Sequence, residues 1–156
     1  MGVTVGVNNL SVIHAESNGI SIAFPDVCIT PSPGGPVPIP YPNIARSGDM
    51  KKGTKKVKTD GKSVCVKDSY FCTSSGDEAG SAGGGVVSNK IKGKAEFVNF
   101  SMDVKFEGKN VCRALDLMVH NGKNTPPMPV LQPPVISVSL PVEPTCLLCG
   151  KKLSNA

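Results

Sequence analysis

Hydrophobic and polar positions along the chain do not repeat at helical spacing over any long stretch. Residues 111–120 are the best candidate for a short helix or a continuing strand, since their apolar positions fit helical spacing over two turns only. Residues 74–88, rich in Gly and Ser, predict a loop with room for one helical turn at 77–79. Residues 130–140 alternate between apolar and polar side chains and predict a strand. The whole pattern therefore predicts a mainly β fold of short strands and tight turns.

Prolines divide the chain into three parts. Seven lie between Pro25 and Pro42 and seven between Pro126 and Pro144, with none between these two groups. Because proline lacks a backbone N–H, both flanks are predicted to run as extended or polyproline-like chain, or as edge strands. Only the centre is expected to form a regular sheet. The alternate prolines from Pro36 to Pro42 predict a stiff strut packed on its own domain, or else a ligand for an aromatic-lined groove.

The centre contains an internal sequence repeat. Residues 57–65 and 104–112 align at an offset of 47 residues with six identities in nine. Each copy carries an acidic residue followed by Gly, which is typical of a two-residue hairpin turn because Gly accepts positive φ. The sequence therefore predicts two duplicated hairpins, with Cys65 and Cys112 at matching positions in the core.

Length and composition narrow the possible functions. The 156 residues suit one domain spanning residues 1–156, and with 4% aromatic residues a large aromatic-lined cofactor cavity is improbable. No apolar stretch reaches the roughly 18 residues that a membrane span needs, and no secretory signal is visible. The net charge of +5 is concentrated in residues 46–67. We expect that stretch to be a solvated face rather than a nucleic-acid site, because it has almost no Arg and few aromatic neighbours.

Cysteine and histidine spacing suggests a metal site. Cys146 and Cys149 form a C-x-x-C-G knuckle, whose two thiolates can take two corners of a tetrahedron around zinc. If the two proline segments pack side by side, Cys28 and His120 could complete the site, so the expected zinc ligands are Cys28, His120, Cys146 and Cys149. His14 is a weaker substitute. A hydrogen-bonded turn for His120 and a buried apolar position for Cys28 are equally good interpretations.

Other catalytic patterns are absent from the sequence. The run Gly76-Asp77-Glu78-Ala79-Gly80 and the glycines after it lack the spacing of a phosphate loop. Asp77 and Glu78, as chain neighbours, are expected to point to different faces, so a tight turn is the better interpretation. No serine lies in a nucleophile motif, and the chain has two histidines.

Several blocks together resemble the PAAR-like domain of bacterial contractile injection machines. The blocks follow one another in the order 24–28, 36–43, 76–80, 84–88, 107–109 and 120–122. The resemblance covers about residues 20–125, and leaves 126–156 as a proline-rich strand and the C-x-x-C knuckle. It implies a small conical β structure that caps a VgrG-type trimeric spike of a type VI secretion system. Members of the wider family often hold zinc, and many carry toxin extensions.

The resemblance predicts a non-enzymatic spike tip that sharpens the spike and helps to deliver effector or toxin proteins. The expected partners are a VgrG-type trimer and effector or toxin proteins, with no nucleic acid and no stable membrane insertion. The tip is expected in the bacterial cytoplasm before assembly, and outside the cell after export on the spike. Two alternatives remain open: a small zinc-dependent hydrolase or nuclease toxin, and a zinc-stabilised intracellular adaptor.

Overall fold

Short extended segments dominate the fold, and the mainly β prediction is confirmed. The computed structural model describes residues 2–136. These residues form fifteen strands and one 3-10 turn, Ser47–Asp49. The strands are β1 Gly6–Val7, β2 Leu10–Ser11, β3 Ile20–Thr30, β4 Val37–Arg46, β5 Met50–Lys51, β6 Lys58–Thr59, β7 Lys62–Ser63, β8 Tyr70–Phe71, β9 Ser74–Ser75, β10 Gly84–Gly85, β11 Ala95–Phe97, β12 Lys105–Phe106, β13 Lys109–Asn110, β14 Leu117–Val119 and β15 Met128–Leu131. None of the described elements is a helix long and apolar enough to cross a membrane.

The longest strands lie in the first proline segment, not in the centre. β3 and β4 pair antiparallel within a sheet ordered β5-β8-β11-β14-β15-β3-β4-β9, and β10 also pairs with β3. The expectation that only the centre forms a regular sheet is therefore wrong. In a strand, the N–H groups of alternate residues point to the same edge. Pro38, Pro40 and Pro42 therefore all lack an N–H at one edge of β4, and the other edge keeps all its hydrogen-bonding groups. That edge pairs with β3, whereas the proline-rich edge pairs with β9 only at Ile44 and Ala45.

Three hairpins, rather than two, repeat along the chain. β6–β7 and β12–β13 are the predicted pair, and β1–β2 is a third copy. Their turn residues have positive φ at Asn8–Asn9, Asp60–Gly61 and Glu107–Gly108. The first copy escapes sequence comparison because two asparagines take the place of an acidic residue and Gly. Asn tolerates the left-handed conformation better than most residues with a side chain.

Each hairpin begins a unit of equal length, and the three units form a ring. We define unit 1 as residues 4–17, unit 2 as 56–69 and unit 3 as 103–116. The N–H of Cys65 donates to Ile13 O at 2.8 Å, that of Cys112 to Cys65 O at 3.0 Å, and that of Ile13 to Cys112 O at 3.2 Å. All three residues are fully buried. The two cysteines therefore lie in the core, at the centre of a pseudo-threefold arrangement.

Side-chain hydrogen bonds also repeat in the three units of the ring. In each unit a side-chain oxygen accepts the N–H of the residue three positions earlier; the pairs are Ser17 with His14, Ser69 with Val66, and Asp116 with Arg113. Each hairpin turn also bonds to the start of another unit; these pairs are Asp60 with Thr4, Glu107 with Lys56, and Asn8 with Asp103. Buried Val12, Val64 and Val111 pack together behind the hairpins.

Residues 111–120 form a turn and then β14, with no helix. Leu115 has φ 69°, and a right-handed helix cannot pass through a residue in that conformation. At 77–79 the chain makes a hydrogen-bonded turn, with the N–H of Gly80 donating to Asp77 O at 2.9 Å. The predicted strand at 130–140 corresponds to β15 and to a bridge between Ile136 and Leu10, and its remainder lies outside the described residues.

Candidate metal centre

Three side chains with metal-binding atoms meet in the interior. Asp26 and Cys28 lie two positions apart on β3, so both point to the same face of the strand. A bulge between Ala23 and Asp26 shifts the register just before them. Asp77 follows β9 and reaches the same place from the turn at 77–80. The ligand atoms of the three residues lie within 4.8 Å of one another, and all three residues are 0% exposed.

Amide groups surround the two carboxylates. The Asn43 Nδ2 donates to Asp26 Oδ2 at 2.6 Å, and the side-chain amides of Asn121 and Asn124 also donate to Asp26. The backbone N–H of Lys92 donates to both Asp77 oxygens, at 3.0 and 3.1 Å. The carboxylates thus receive neutral donors. Among residues 2–136 neither carboxylate has an ion-pair partner.

Burial disfavours the charged forms of these groups. Burial, and then the neighbouring Asp26, raise the pKa of Asp77 to about 6. Burial, and then the Asp26 and Asp77 carboxylates, raise the pKa of the Cys28 thiol to about 12. Two carboxylates this close and this deeply buried need a proton or a cation between them. The Asp26–Cys28–Asp77 group could therefore hold a metal ion.

Glycines allow the surrounding backbone to approach the group. A Cβ on Gly80 would lie 2.3 Å from the Cys28 Cβ. A Cβ on Gly85 would lie 2.4 Å from the Asn124 Cγ. The glycine-rich stretch thus encloses the Asp26–Cys28–Asp77 group, which agrees with its interpretation as a turn rather than a phosphate loop. Asp77 is buried while Glu78 is exposed and lies 4.0 Å from Lys92 Nζ, as expected for chain neighbours.

The segments that build this group also carry the family resemblance. A family model described as the toxin PAAR-like domain matches residues 19–127. The chain belongs to this family. The match confirms the resemblance inferred from the sequence blocks, over nearly the same residues. No solved structure matches the chain significantly.

A curated relative overturns the expected absence of enzymatic activity. The chain is similar to the DNase toxin Tse7 of Pseudomonas aeruginosa, with 49% identity over 142 residues. The match covers 84% of this chain and 37% of the relative, so the chain spans little more than a third of that protein's length. Because the relative is a named DNase, the prediction of a non-enzymatic spike tip is wrong. The alternative of a nuclease toxin agrees better with this relative.

The structure shows the positions of only two of the four predicted zinc ligands of this toxin PAAR-like chain. Cys28 lies in the buried group. His120 is fully buried, and its Nε2 lies 2.9 Å from Ser21 Oγ. Cys146 and Cys149 lie outside the described residues. The ligand set of Cys28, His120, Cys146 and Cys149 therefore stays a prediction.

His14 lies elsewhere, in unit 1 of the ring. Its Nε2 is 3.4 Å from Asp60 Oδ2, and its Nδ1 accepts the N–H of Glu16. The Asp26–Cys28–Asp77 group does not include it. His14 is therefore part of the contact between units 1 and 2.

Sequence reasoning missed the two aspartates of the group. Asp26 could have been found, because an Asp two positions before a Cys in a predicted strand shares its face. Asp77 gave no such signal, because a turn residue far along the chain meets β3 only after folding. The three asparagines around the group were missed for the same reason.

Proposed function

We propose that this chain acts in a DNA-cleaving toxin. The observation that carries the proposal is the 49% identity to a named DNase toxin across 84% of the chain. The match includes most of residues 19–127, the part that defines the toxin PAAR-like family. We assign the activity on DNA to the toxin as a whole, that is, to the natural polypeptide that contains this chain.

Within that toxin, we propose that the three-unit ring attaches the polypeptide to a VgrG-type trimeric spike of a type VI secretion system. A trimer ends in three identical surfaces, and a single chain can contact all three in similar ways only if it repeats itself three times. Units 1, 2 and 3 provide such a repeat, with cyclic hydrogen bonds through Ile13, Cys65 and Cys112. This pseudo-threefold order supports the proposed partner. The toxin would be made in the bacterial cytoplasm and exported on the spike.

We propose a structural zinc ion in this toxin, without a part in DNA cleavage. Zinc takes thiolate and carboxylate ligands, and the Asp26–Cys28–Asp77 group offers both kinds. The group is completely buried, so a DNA phosphodiester cannot reach it. When bound, zinc would supply positive charge to a carboxylate pair and hold separate segments together.

The experiment that tests the activity uses the natural polypeptide containing this chain. It is expressed in the cytoplasm of a bacterial host, and chromosomal DNA is followed by staining and by gel electrophoresis. We expect fragmentation of the DNA within the period in which growth stops. Intact DNA in cells that hold folded toxin would contradict the proposal.

The spike is tested separately, by native mass spectrometry of the toxin mixed with its VgrG-type trimer. We expect one toxin per trimer. Lys58 and Lys105 occupy matching, exposed positions on two hairpins, and reversing both charges with Lys58→Glu and Lys105→Glu should weaken the complex. The matched control changes the same net charge at exposed Lys90 and Lys123, outside the ring. Equal binding by both double variants would exclude the hairpin face as the docking surface.

A further inference from the structure

We infer that Asp26, Cys28 and Asp77 are the protein ligands of one structural zinc ion. The inference rests on the structural zinc of the proposed function and names its ligands. It differs from the ligand set that the sequence predicts, with which it shares only Cys28. Four properties of the group support it: its distances, its charge, its neighbouring amide and its place in the chain.

The distances fit a tetrahedral ion. Zinc–sulfur and zinc–oxygen bonds of about 2.3 and 2.1 Å place the two donor atoms about 3.6 Å apart at a tetrahedral centre. The Cys28 Sγ lies 3.5 Å from Asp26 Oδ1 and 3.9 Å from Asp77 Oδ2. Both S···O distances are therefore close to the value that one tetrahedral ion requires, and all the ligand atoms lie within 4.8 Å of one another.

The charge of the group calls for a cation. Asp26 and Asp77 are fully buried, and no Lys, Arg or His among residues 2–136 forms an ion pair with either. Binding would displace the thiol proton of Cys28, so a divalent ion would leave the two carboxylates and the thiolate with a single net negative charge. The amides around the carboxylates would remain as hydrogen-bond donors to the ligands, as is usual around zinc.

A neighbouring side chain adds an independent observation. The Asn43 amide is 0% exposed and points at the group, with its Nδ2 2.6 Å from Asp26 Oδ2. Its Oδ1 has no hydrogen-bond partner among the described residues. A buried polar atom left unpaired is uncommon in folded proteins, and it often marks an ion or water site. The unpaired Oδ1 belongs to the amide whose Nδ2 donates to Asp26 Oδ2 and to Ser74 Oγ, so it lies beside the proposed site.

The ligands join distant parts of the chain. Asp26 and Cys28 come from β3, and Asp77 comes from the turn after β9. The hydrogen bonds of Asn43 and Lys92 add β4 and the segment before β11 to the same site. One ion at this point would hold the β3–β4 hairpin against the glycine-rich segment.

The test measures zinc in the full chain without DNA or spike, so its failure is distinguishable from failure of the proposed toxin activity. Protein purified with zinc is dialysed, and bound metal is counted by mass spectrometry. We expect one zinc per chain in the wild type. The Cys28→Ser and Asp77→Asn variants should each lose at least about tenfold in zinc affinity, the range over which even indirect partners of zinc ligands act.

Two control variants distinguish this site from a neighbouring carboxylate and from the C-x-x-C knuckle. Glu78→Gln removes an exposed carboxylate beside Asp77 and should leave zinc binding unchanged. The double variant Cys146→Ser and Cys149→Ser should also keep its zinc. Loss of zinc in that double variant would overturn the inference in favour of the ligand set predicted from the sequence.

A spectroscopic measurement on the wild type covers the case in which variants do not fold. X-ray absorption of the zinc-loaded chain should show one sulfur ligand with oxygen or nitrogen ligands completing the shell. Two or more sulfur ligands would overturn the inference. Wild-type protein that binds no zinc would also overturn it.

Discussion

Val12 and Arg113 form an antiparallel β-bridge that joins the first unit of the ring to the third. The corresponding bridges join His14 to Val64 and Val66 to Val111. In each case the residue at one position of a unit pairs with the residue two positions further along in another unit. The three bridges therefore close the ring. The N-terminal unit is as much a part of it as the two units that the sequence repeat reveals.

The ring predicts equal effects at equivalent valines. Val12, Val64 and Val111 are each 0% exposed and pack in one cluster. Substituting any one of them with Ala should lower the free energy of unfolding by about 1–3 kcal/mol, because each change removes buried methyl groups. Urea denaturation checks this, with exposed Val87→Ala as a control that should leave stability unchanged. A much smaller loss at Val12 than at the other two positions would mean that the first unit is not part of the core.

The side-chain hydrogen bond within each unit predicts a second loss of stability. The Ser69 hydroxyl accepts the N–H of Val66 and donates to Lys52 O. Ser69→Ala leaves the buried Val66 N–H and the Lys52 carbonyl without that partner and should cost about 1–3 kcal/mol in thermal or urea unfolding. The control is Ser75→Ala, at an exposed position. If the two variants unfold alike, the Ser69 hydrogen bonds do not stabilise the unit.

Close packing around the Asp26–Cys28–Asp77 group predicts that Gly80 does not tolerate a side chain. A Cβ there would overlap the Cys28 Cβ, at 2.3 Å. Gly80→Ala should lower the free energy of unfolding by about 1–3 kcal/mol or more, because the backbone must move. Gly34→Ala is the matched control, since nothing lies within 4 Å of its Cβ position. Equal stability of the two variants would contradict the described packing of this segment.

His14 predicts a loss of stability in mild acid. Burial lowers the pKa of His14 below its ordinary value of 6.5, against the opposing charges of Asp60 and Glu16. The folded chain therefore binds fewer protons at this site than the unfolded chain, so its contribution to the free energy of unfolding falls as pH drops below 6.5. Urea titrations at several pH values should show the wild type losing more stability than His14→Gln between pH 7 and 5. Parallel curves for the two proteins would rule out this contribution.

The sequence predicted those parts of the fold that depend on local pattern. The hairpins at 57–65 and 104–112 are confirmed, because an acidic residue followed by Gly fixes the turn within a few residues. The pairing of β3 with β4 was not predicted, since it depends on which edge of β4 the prolines face. The helix considered at 111–120 does not form because Leu115 adopts positive φ, which side-chain periodicity cannot reveal.

The candidate site was less predictable than the fold. Cys28 was identified from the sequence, but its partners Asp26 and Asp77 depend on a bulge in β3 and on a turn that reaches β3 only after folding. Activity was the least predictable feature of all. Rigid turns and proline-stiffened strands suggest a structural part, and the proposal of DNA cleavage rests on the relative that is named a DNase toxin.

The most direct test of the proposed toxin measures DNA in recipient bacteria after contact with attacking cells that make it. With the wild-type toxin and its VgrG-type spike, we expect recipient chromosomal DNA to fragment. With the Lys58→Glu and Lys105→Glu toxin, which should dock more weakly on the spike, we expect much less fragmentation of recipient DNA. Intact recipient DNA with the wild-type toxin, or equal fragmentation with both toxins, would contradict the proposal of a DNA-cleaving toxin carried by its three-unit ring.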